Sequence, residues 1–252
     1  MKQTIRYGPC PDHEADLHLP AASRPPVVCL LHGGFWRMPY GRDQMTAVAD
    51  DLAARGFAVW NLEYRRLGAP GTAWPAPMDD VAAGVDHLAQ LAAEGVHLDL
   101  ERVVVVGHSA GGHLALWVAG RSRSQLDLAP RVVPRAAVGL APVADLGRAF
   151  TLKVARAAVR ELLGGSPSEH PARVRAASPL EMLPLRVPQL IIHGTADDAV
   201  PIDLSRRYAR AAQAAGDTVQ LIELPGGGHM EFLDPASEAH ALLARWLAAF
   251  LE

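Results

Sequence analysis

Val103-Val104-Val105-Val106-Gly107-His108-Ser109-Ala110-Gly111 is the stretch that decides the fold. Four β-branched residues read as a buried strand, and Gly112-His113-Leu114-Ala115-Leu116-Trp117-Val118 reads as a helix. A strand that enters G-x-S-x-G and leaves it as a helix is the setting of a serine nucleophile on a sharp elbow. The glycines are explained by sterics, because the turn brings its neighbours so close that a flanking Cβ would clash. The helix that follows turns its free N–H groups toward any negative charge developing at the serine.

A nucleophilic serine needs a base, and the base needs a carboxylate to orient it. Downstream, the apolar run Gln189-Leu190-Ile191-Ile192 leads into His193-Gly194-Thr195-Ala196-Asp197-Asp198-Ala199-Val200-Pro201. A second run, Val219-Gln220-Leu221-Ile222-Glu223-Leu224, leads into Pro225-Gly226-Gly227-Gly228-His229-Met230. The order serine, acid, histidine is thus present, with both partners in loops just past strand ends, where catalytic groups of open α/β sheets collect. Three glycines before His229 are expected to give a flexible loop that lets the imidazole swing up to Ser109. Upstream, Val27-Val28-Cys29-Leu30-Leu31 reads as a buried strand ending in His32-Gly33-Gly34-Phe35-Trp36. A glycine-rich loop after an early strand supplies backbone N–H donors for a tetrahedral oxyanion.

These motifs resemble the esterase/lipase branch of the α/β-hydrolase superfamily that carries H-G-G-x-W, G-H-S-A-G and H-G-x-x-D. Kynurenine-formamidase-like enzymes and small acetyl/feruloyl esterases belong to that branch. Glu63-Tyr64-Arg65-Arg66-Leu67 and Pro77-Met78-Asp79-Asp80-Val81 are similar to segments of hormone-sensitive-lipase relatives. Those relatives usually show H-G-G-G, whereas Phe35 and Trp36 follow the second glycine here, which draws the likeness toward the formamidase-like and small-esterase groups. The resemblance runs from about Val27 to the C-terminus. It implies Ser109, Asp197 and His229 as the triad, with Asp198 shaping the turn before Pro201. It also implies backbone N–H donors on Ala110 and Gly34, with Phe35 as the third.

Composition fits a globular enzyme. The chain has 252 residues, half of them hydrophobic, and a formal net charge of -3. That length suits a single domain, 1–252, with a large core. The charge and the lack of any basic run argue against nucleic acid as a partner. No stretch approaches the ~18 apolar residues that span a bilayer, so no membrane partner is expected either. Met1-Lys2-Gln3-Thr4-Ile5-Arg6 has no apolar signal-peptide core, and only Cys10 and Cys29 are present, so a cytoplasmic location is expected. Without C-x-x-C or H-E-x-x-H, neither metal nor cofactor is expected.

Alternating strand and helix signals predict a mostly parallel sheet with helices on both faces, the α/β-hydrolase fold. Residues 3–20 should form an antiparallel edge hairpin. Strands are predicted near 27–31, 57–62, 103–107, 136–140, 189–193 and 219–224, and helices near 43–55, 79–94, 110–120 and 203–215. The last helix is expected to begin at Asp234-Pro235. Residues from about 145 to 188 hold one helix pattern, Thr151 to Leu163, and are expected to form a small partial cap over the site. With Phe35, Trp36, Met38 and Trp74 this cap would wall an apolar pocket. Trp36, Met38 and His108 are the candidate pocket residues. His108 and His113 are expected to pack under the elbow rather than exchange protons, and His32 to brace the glycine loop.

The expected activity is hydrolysis of small carboxylic esters with short acyl groups, through an acyl-enzyme and without a cofactor. The alternatives are an arylformamidase acting on an N-formylkynurenine-type amide and a non-catalytic binder on a hydrolase fold.

Overall fold

A computed structural model describes residues 1–69, 72–126, 128–152 and 155–252. Its strands are β1 (Lys2–Arg6), β2 (Glu14–His18), β3 (Pro26–Leu31), β4 (Ala58–Leu62), β5 (Asp99–His108), β6 (Ala136–Leu140), β7 (Gln189–Gly194) and β8 (Val219–Leu224). They form one sheet in the order β1-β2-β4-β3-β5-β6-β7-β8. β1 and β2 pair antiparallel as the expected edge hairpin, β2 runs antiparallel to β4, and every later pairing is parallel. The central valines explain the layering. Val103 and Val105 enter one core cluster while Val104 and Val106 enter the other, and Val27, Cys29 and Leu31 alternate likewise with Val28 and Leu30. A strand apolar on both faces must be covered on both faces.

The helices are α1 (Thr46–Ala54), α2 (Ala76–Ala93), α3 (Ala110–Ala119), α4 (Leu146–Thr151), α5 (Arg156–Leu163), α6 (Pro171–Ala177), α7 (Asp203–Ala214) and α8 (Glu238–Leu251). α1 and α8 cover one face through Val48, Leu52, Leu243 and Leu247. α2, α3, α5 and α7 cover the other through Val85, Leu114, Leu162 and Tyr208. Among the described residues no helix is long and apolar enough to cross a membrane.

Two sequence expectations are corrected. α8 starts at Glu238 because Ser237 caps it, its side chain accepting from the His240 N–H. Asp234 instead forms a local turn by accepting from the Ala236 N–H. The single helix expected over Thr151 to Leu163 is two, α4 and α5. Asp145 caps the first, and Ala155 at φ 51° opens the second. Lys153 and Val154, within the expected helix, lie outside the described residues.

The segment 145–188, expected to form a small partial cap, is anchored on the helical layer through its described residues. Leu162 and Leu163 of α5 belong to the core, and α6 offers the Ala176 and Ala177 carbonyls to Trp117 Nε1–H and His113 Nε2–H of α3. Its described residues pack beside α3, and none of them lines the cavity around Ser109.

Candidate active site

β5 delivers Ser109 at φ 56°, ψ −116°, a backbone conformation that side-chain-bearing residues rarely adopt. The absence of side chains on either side permits it. A Cβ on Gly107 would run into the Gly111 carbonyl, and one on Gly111 would meet the Leu31 carbonyl of β3. The Ser109 N–H is held by the Leu140 carbonyl of β6 at 2.8 Å, so the elbow is locked to its neighbouring strand.

Asp197 and His229 stand beyond the ends of β7 and β8. Asp197 Oδ2 accepts from His229 Nδ1 at 2.7 Å and lies 3.2 Å from His193 Nε2. Its Oδ1 accepts from the Ala199 and Val200 N–H groups at 2.9 and 2.7 Å. Burial by itself raises the Asp197 carboxyl, but bonds from His193, His229 and the Val200 N–H outweigh it and hold the group well below the usual carboxylate range. The turn-shaping role expected of Asp198 therefore belongs to Asp197, whose second oxygen does it. Asp198 is exposed and lines the cavity instead.

The glycine loop before His229 is pinned rather than free to swing. The Ala196 N–H donates to the Gly227 carbonyl at 3.0 Å, the Gly226 N–H to Thr195 Oγ1 at 2.8 Å, and the Gly228 N–H to Glu231 Oε1 at 2.9 Å. Gly194 has backbone of Gly227 where a Cβ would sit, so these glycines serve close approach of two loops. His108 Nε2 donates to the His229 carbonyl at 2.9 Å, a further anchor. Burial, reinforced by the nearby His229, pushes His108 down to about 3 and keeps it neutral. His108 thus lines the cavity and fixes the His229 backbone without exchanging protons near neutral pH.

The loop after β3 takes positive φ at three successive residues, Gly34 (94°), Phe35 (58°) and Trp36 (57°). Two of these are strained for lack of glycine, so surrounding contacts must enforce them. The Arg37 N–H closes onto the Gly34 carbonyl at 2.9 Å, and the Leu67 N–H onto the Trp36 carbonyl at 2.6 Å. Trp36 is fully buried and donates Nε1–H to His113 Nδ1 at 3.2 Å. Burial lowers His113 to about 4, which suits a neutral ring accepting at Nδ1. Trp36 is therefore core rather than pocket wall, contrary to expectation. Trp36→Ala should cost about 3–5 kcal/mol of stability, as buried aromatic truncations do, read as a lowered unfolding midpoint in denaturant. Met38 lies in a separate surface cleft with Cys10, Asp12 and Arg65, and Trp74 packs against the core under Arg173.

His32 explains how the loop is aimed. Its Nδ1 meets the Gly33 carbonyl at 2.8 Å and its Nε2 meets Glu63 Oε1 at 2.7 Å. The ring is thus held at both nitrogens, one on the loop backbone and the other on the buried Glu63. Burial raises the Glu63 carboxyl, but the bond and charge of His32, the Arg42 N–H and Arg66 together bring it below its ordinary value. Tyr64 stacks on the ring at 4.3 Å and donates its hydroxyl to the His32 carbonyl at 2.9 Å. A trans peptide directs its C=O and N–H oppositely. Holding the Gly33 carbonyl on His32 therefore turns the Gly34 N–H away, and Gly34 lines the cavity. Among the described residues no acceptor takes the N–H of Gly34, Phe35 or Ala110. Glu63→Gln removes the charge and one acceptor, leaving His32, Tyr64 N–H and Arg42 N–H competing for a single oxygen. It should lower kcat by on the order of 10² with little change in KM, the scale of one impaired oxyanion donor. Steady-state kinetics on an aryl acetate checks this.

Ser109, His229, His108, Gly34 and Phe35 line one cavity of ≈ 280 Å³ together with Tyr40, Gln44, Asp198, Ala199 and Met230. Tyr40, Gln44 and Met230 carry no motif signal that would mark them as lining residues. Tyr40 fills the space a Gly34 Cβ would need, and Met230 follows the histidine directly.

A family model described as BD-FAE matches residues 15–211. The chain belongs to the BD-FAE family. It is 30% identical over 232 residues to Esterase LipC of Mycobacterium tuberculosis (strain ATCC 25618 / H37Rv), covering 86% of this chain and 57% of LipC. It is 22% identical to kynurenine formamidase of Danio rerio, covering 96% of this chain and 79% of that protein. Its structure is similar to that of Thermogutta terrifontis esterase 2 phosphorylated by paraoxon, with a TM-score of 0.78 and 25% identity, covering 99% and 93% of the two chains. The chain thus spans little more than half of LipC, and this BD-FAE member shares the α/β-hydrolase fold of the esterases.

Proposed function

We propose that this chain acts as one α/β-hydrolase unit, 1–252, in the cytoplasm, cleaving small carboxylic esters through an acyl-enzyme on Ser109. The observation that carries the reading is the 2.7 Å bond from His229 Nδ1 to Asp197, beside a strained serine elbow in the same cavity. That bond fixes the proton on Nδ1 and leaves Nε2 free to accept the Ser109 proton as Oγ attacks the ester carbon. Negative charge then develops on the carbonyl oxygen, where the Gly34, Phe35 and Ala110 N–H groups receive it. His229 returns the proton to the leaving alcohol, and water repeats the sequence to release the acid. Likeness to LipC and to the paraoxon-phosphorylated esterase supports this reading.

The cavity, ≈ 280 Å³, falls just below the roughly 300–1,000 Å³ usual for ligand pockets, and Phe35 narrows it beside the oxyanion loop. Acyl groups from acetyl to about butyryl should therefore be preferred. In a series of 4-nitrophenyl esters, kcat/KM should peak within that range and fall by decanoyl. A steady rise to decanoyl would overturn the size argument. Paraoxon or a fluorophosphonate should label Ser109, and a protein that resists both is a binder rather than an enzyme.

Likeness to the Danio rerio kynurenine formamidase supports a second reading, hydrolysis of an N-formyl aryl amide. It takes precedence if N-formylkynurenine is turned over at roughly 10⁴ M⁻¹s⁻¹ or better, the lower edge of ordinary enzyme efficiency, while simple esters lag.

A further inference from the structure

Asp198 puts a charge on the cavity wall that the reaction above does not use. Its neighbour Asp197 takes all the local partners, namely His193, His229 and the Ala199 and Val200 N–H groups. Asp198 itself is exposed, and among the described residues no hydrogen bond or ion pair engages its carboxylate. Among the described residues no lysine or arginine lines the cavity. Arg37, next to the oxyanion loop in sequence, is tied to Glu161 by a 2.6 Å bond. Two aromatic rings complete the wall, Phe35 and Tyr40, with 37% and 43% of their surfaces exposed.

We propose that Asp198 is a specificity-determining residue that selects esters whose alcohol carries a cationic, ammonium-type group and disfavours those whose alcohol is anionic. This rests on the esterase reading. The acyl side is short, so a charged group within reach of the wall belongs to the alcohol. An ammonium there gains attraction from the carboxylate and from the faces of exposed aromatic rings. An anionic group is repelled by that carboxylate, and among the described lining residues no lysine or arginine offsets the repulsion. The same carboxylate repels that of N-formylkynurenine, which sets the formamidase reading behind the esterase one.

Three acetates of matched shape test the proposal: those of choline, of neutral 3,3-dimethylbutanol and of anionic 2-hydroxyethanesulfonate. At low salt, kcat/KM should rank cationic over neutral over anionic, with about ten-fold between successive members, the size of one modestly screened charge pair. The spread should narrow at about 1 M salt, where the screening length is ~3 Å. Asp198→Asn should bring the choline-to-dimethylbutyl ratio to near one, and Asp198→Lys should invert the ranking. The readout is a ratio within each variant, so a general loss of rate does not imitate the result, and an unchanged melting temperature shows that the exposed substitution is tolerated. A ratio near one in the unmodified protein, or one untouched by Asp198→Asn, overturns the proposal while labelling of Ser109 and turnover of the neutral ester leave the esterase reading standing. Failure of both labelling and neutral-ester turnover overturns the reading and the proposal together.

Discussion

Ser109→Ala should lower kcat on a short aryl ester by on the order of 10⁶, the loss seen when a serine triad is deprived of its nucleophile, without measurable change in stability. The second half of the expectation follows from the local structure. Among the described residues the Ser109 hydroxyl has no hydrogen-bond partner, so its removal strands no buried donor or acceptor. The backbone conformation at φ 56° is as uncomfortable for alanine as for serine, and the Leu140 carbonyl still holds the N–H. Glycine is different, because it has no Cβ to object to that conformation. Ser109→Gly should be as inactive as the alanine variant yet more stable by about 1 kcal/mol, the lower end of what a strained backbone position stores. Equilibrium unfolding of both variants, alongside fluorophosphonate labelling, separates the two effects. A folded alanine variant retaining more than a tenth of the original rate would remove Ser109 from its assigned role. Equal stability of the alanine and glycine variants would remove the strain argument and leave the chemistry intact.

Much of this was legible in the sequence because the features concerned are local. The elbow is announced by the valine run and two glycines four positions apart, and the parallel sheet follows from apolar strands separated by helical patterns. What was not legible depends on distant contacts. Nothing near Trp36 in sequence reveals that His113, 77 residues away, accepts its indole N–H, so local sequence cannot place the ring in the core. The segment 145–188 is expected to cap the site, and nothing local to it announces that His113 and Trp117 of α3 donate to its Ala177 and Ala176 carbonyls. The glycines before His229 suggested freedom from composition alone, whereas the neighbouring loop after β7 uses their small size for close packing. The roles of Asp197 and Asp198 divide between them through the curl of one turn, which adjacent identical residues cannot disclose.

That turn makes Asp197→Asn the second large effect, with an expected loss in kcat of roughly 10⁴, the penalty for holding a triad histidine in the wrong tautomer. The asparagine has one acceptor where Asp197 has two. Its oxygen will stay with the Ala199 and Val200 N–H groups, since two short backbone bonds favour that orientation. The amide NH₂ then faces His229 Nδ1 and His193 Nε2. It can donate to His229 Nδ1 only if the imidazole proton moves to Nε2, where the ring can no longer accept the proton of Ser109. At His193 the consequence is structural. Its Nε2–H already donates to the Val200 carbonyl at 2.8 Å and Nδ1 engages Ser205 at 2.7 Å, so the ring cannot turn to accept. Donor will face donor in a fully buried place, and the variant should also lose about 1–3 kcal/mol of stability. The pH dependence supplies an independent check. A carboxyl whose folded value is depressed contributes fully above its unfolded value, near 4, and loses that contribution only as pH falls toward the depressed value. Asp197 therefore stays ionised throughout pH 5–9, and any ionisation in kcat/KM over that range belongs to another group. The asparagine variant should be slower at every pH in that window by a nearly constant factor. A loss confined to the acid side, or an equal loss in Asp198→Asn, would move the acid role away from Asp197.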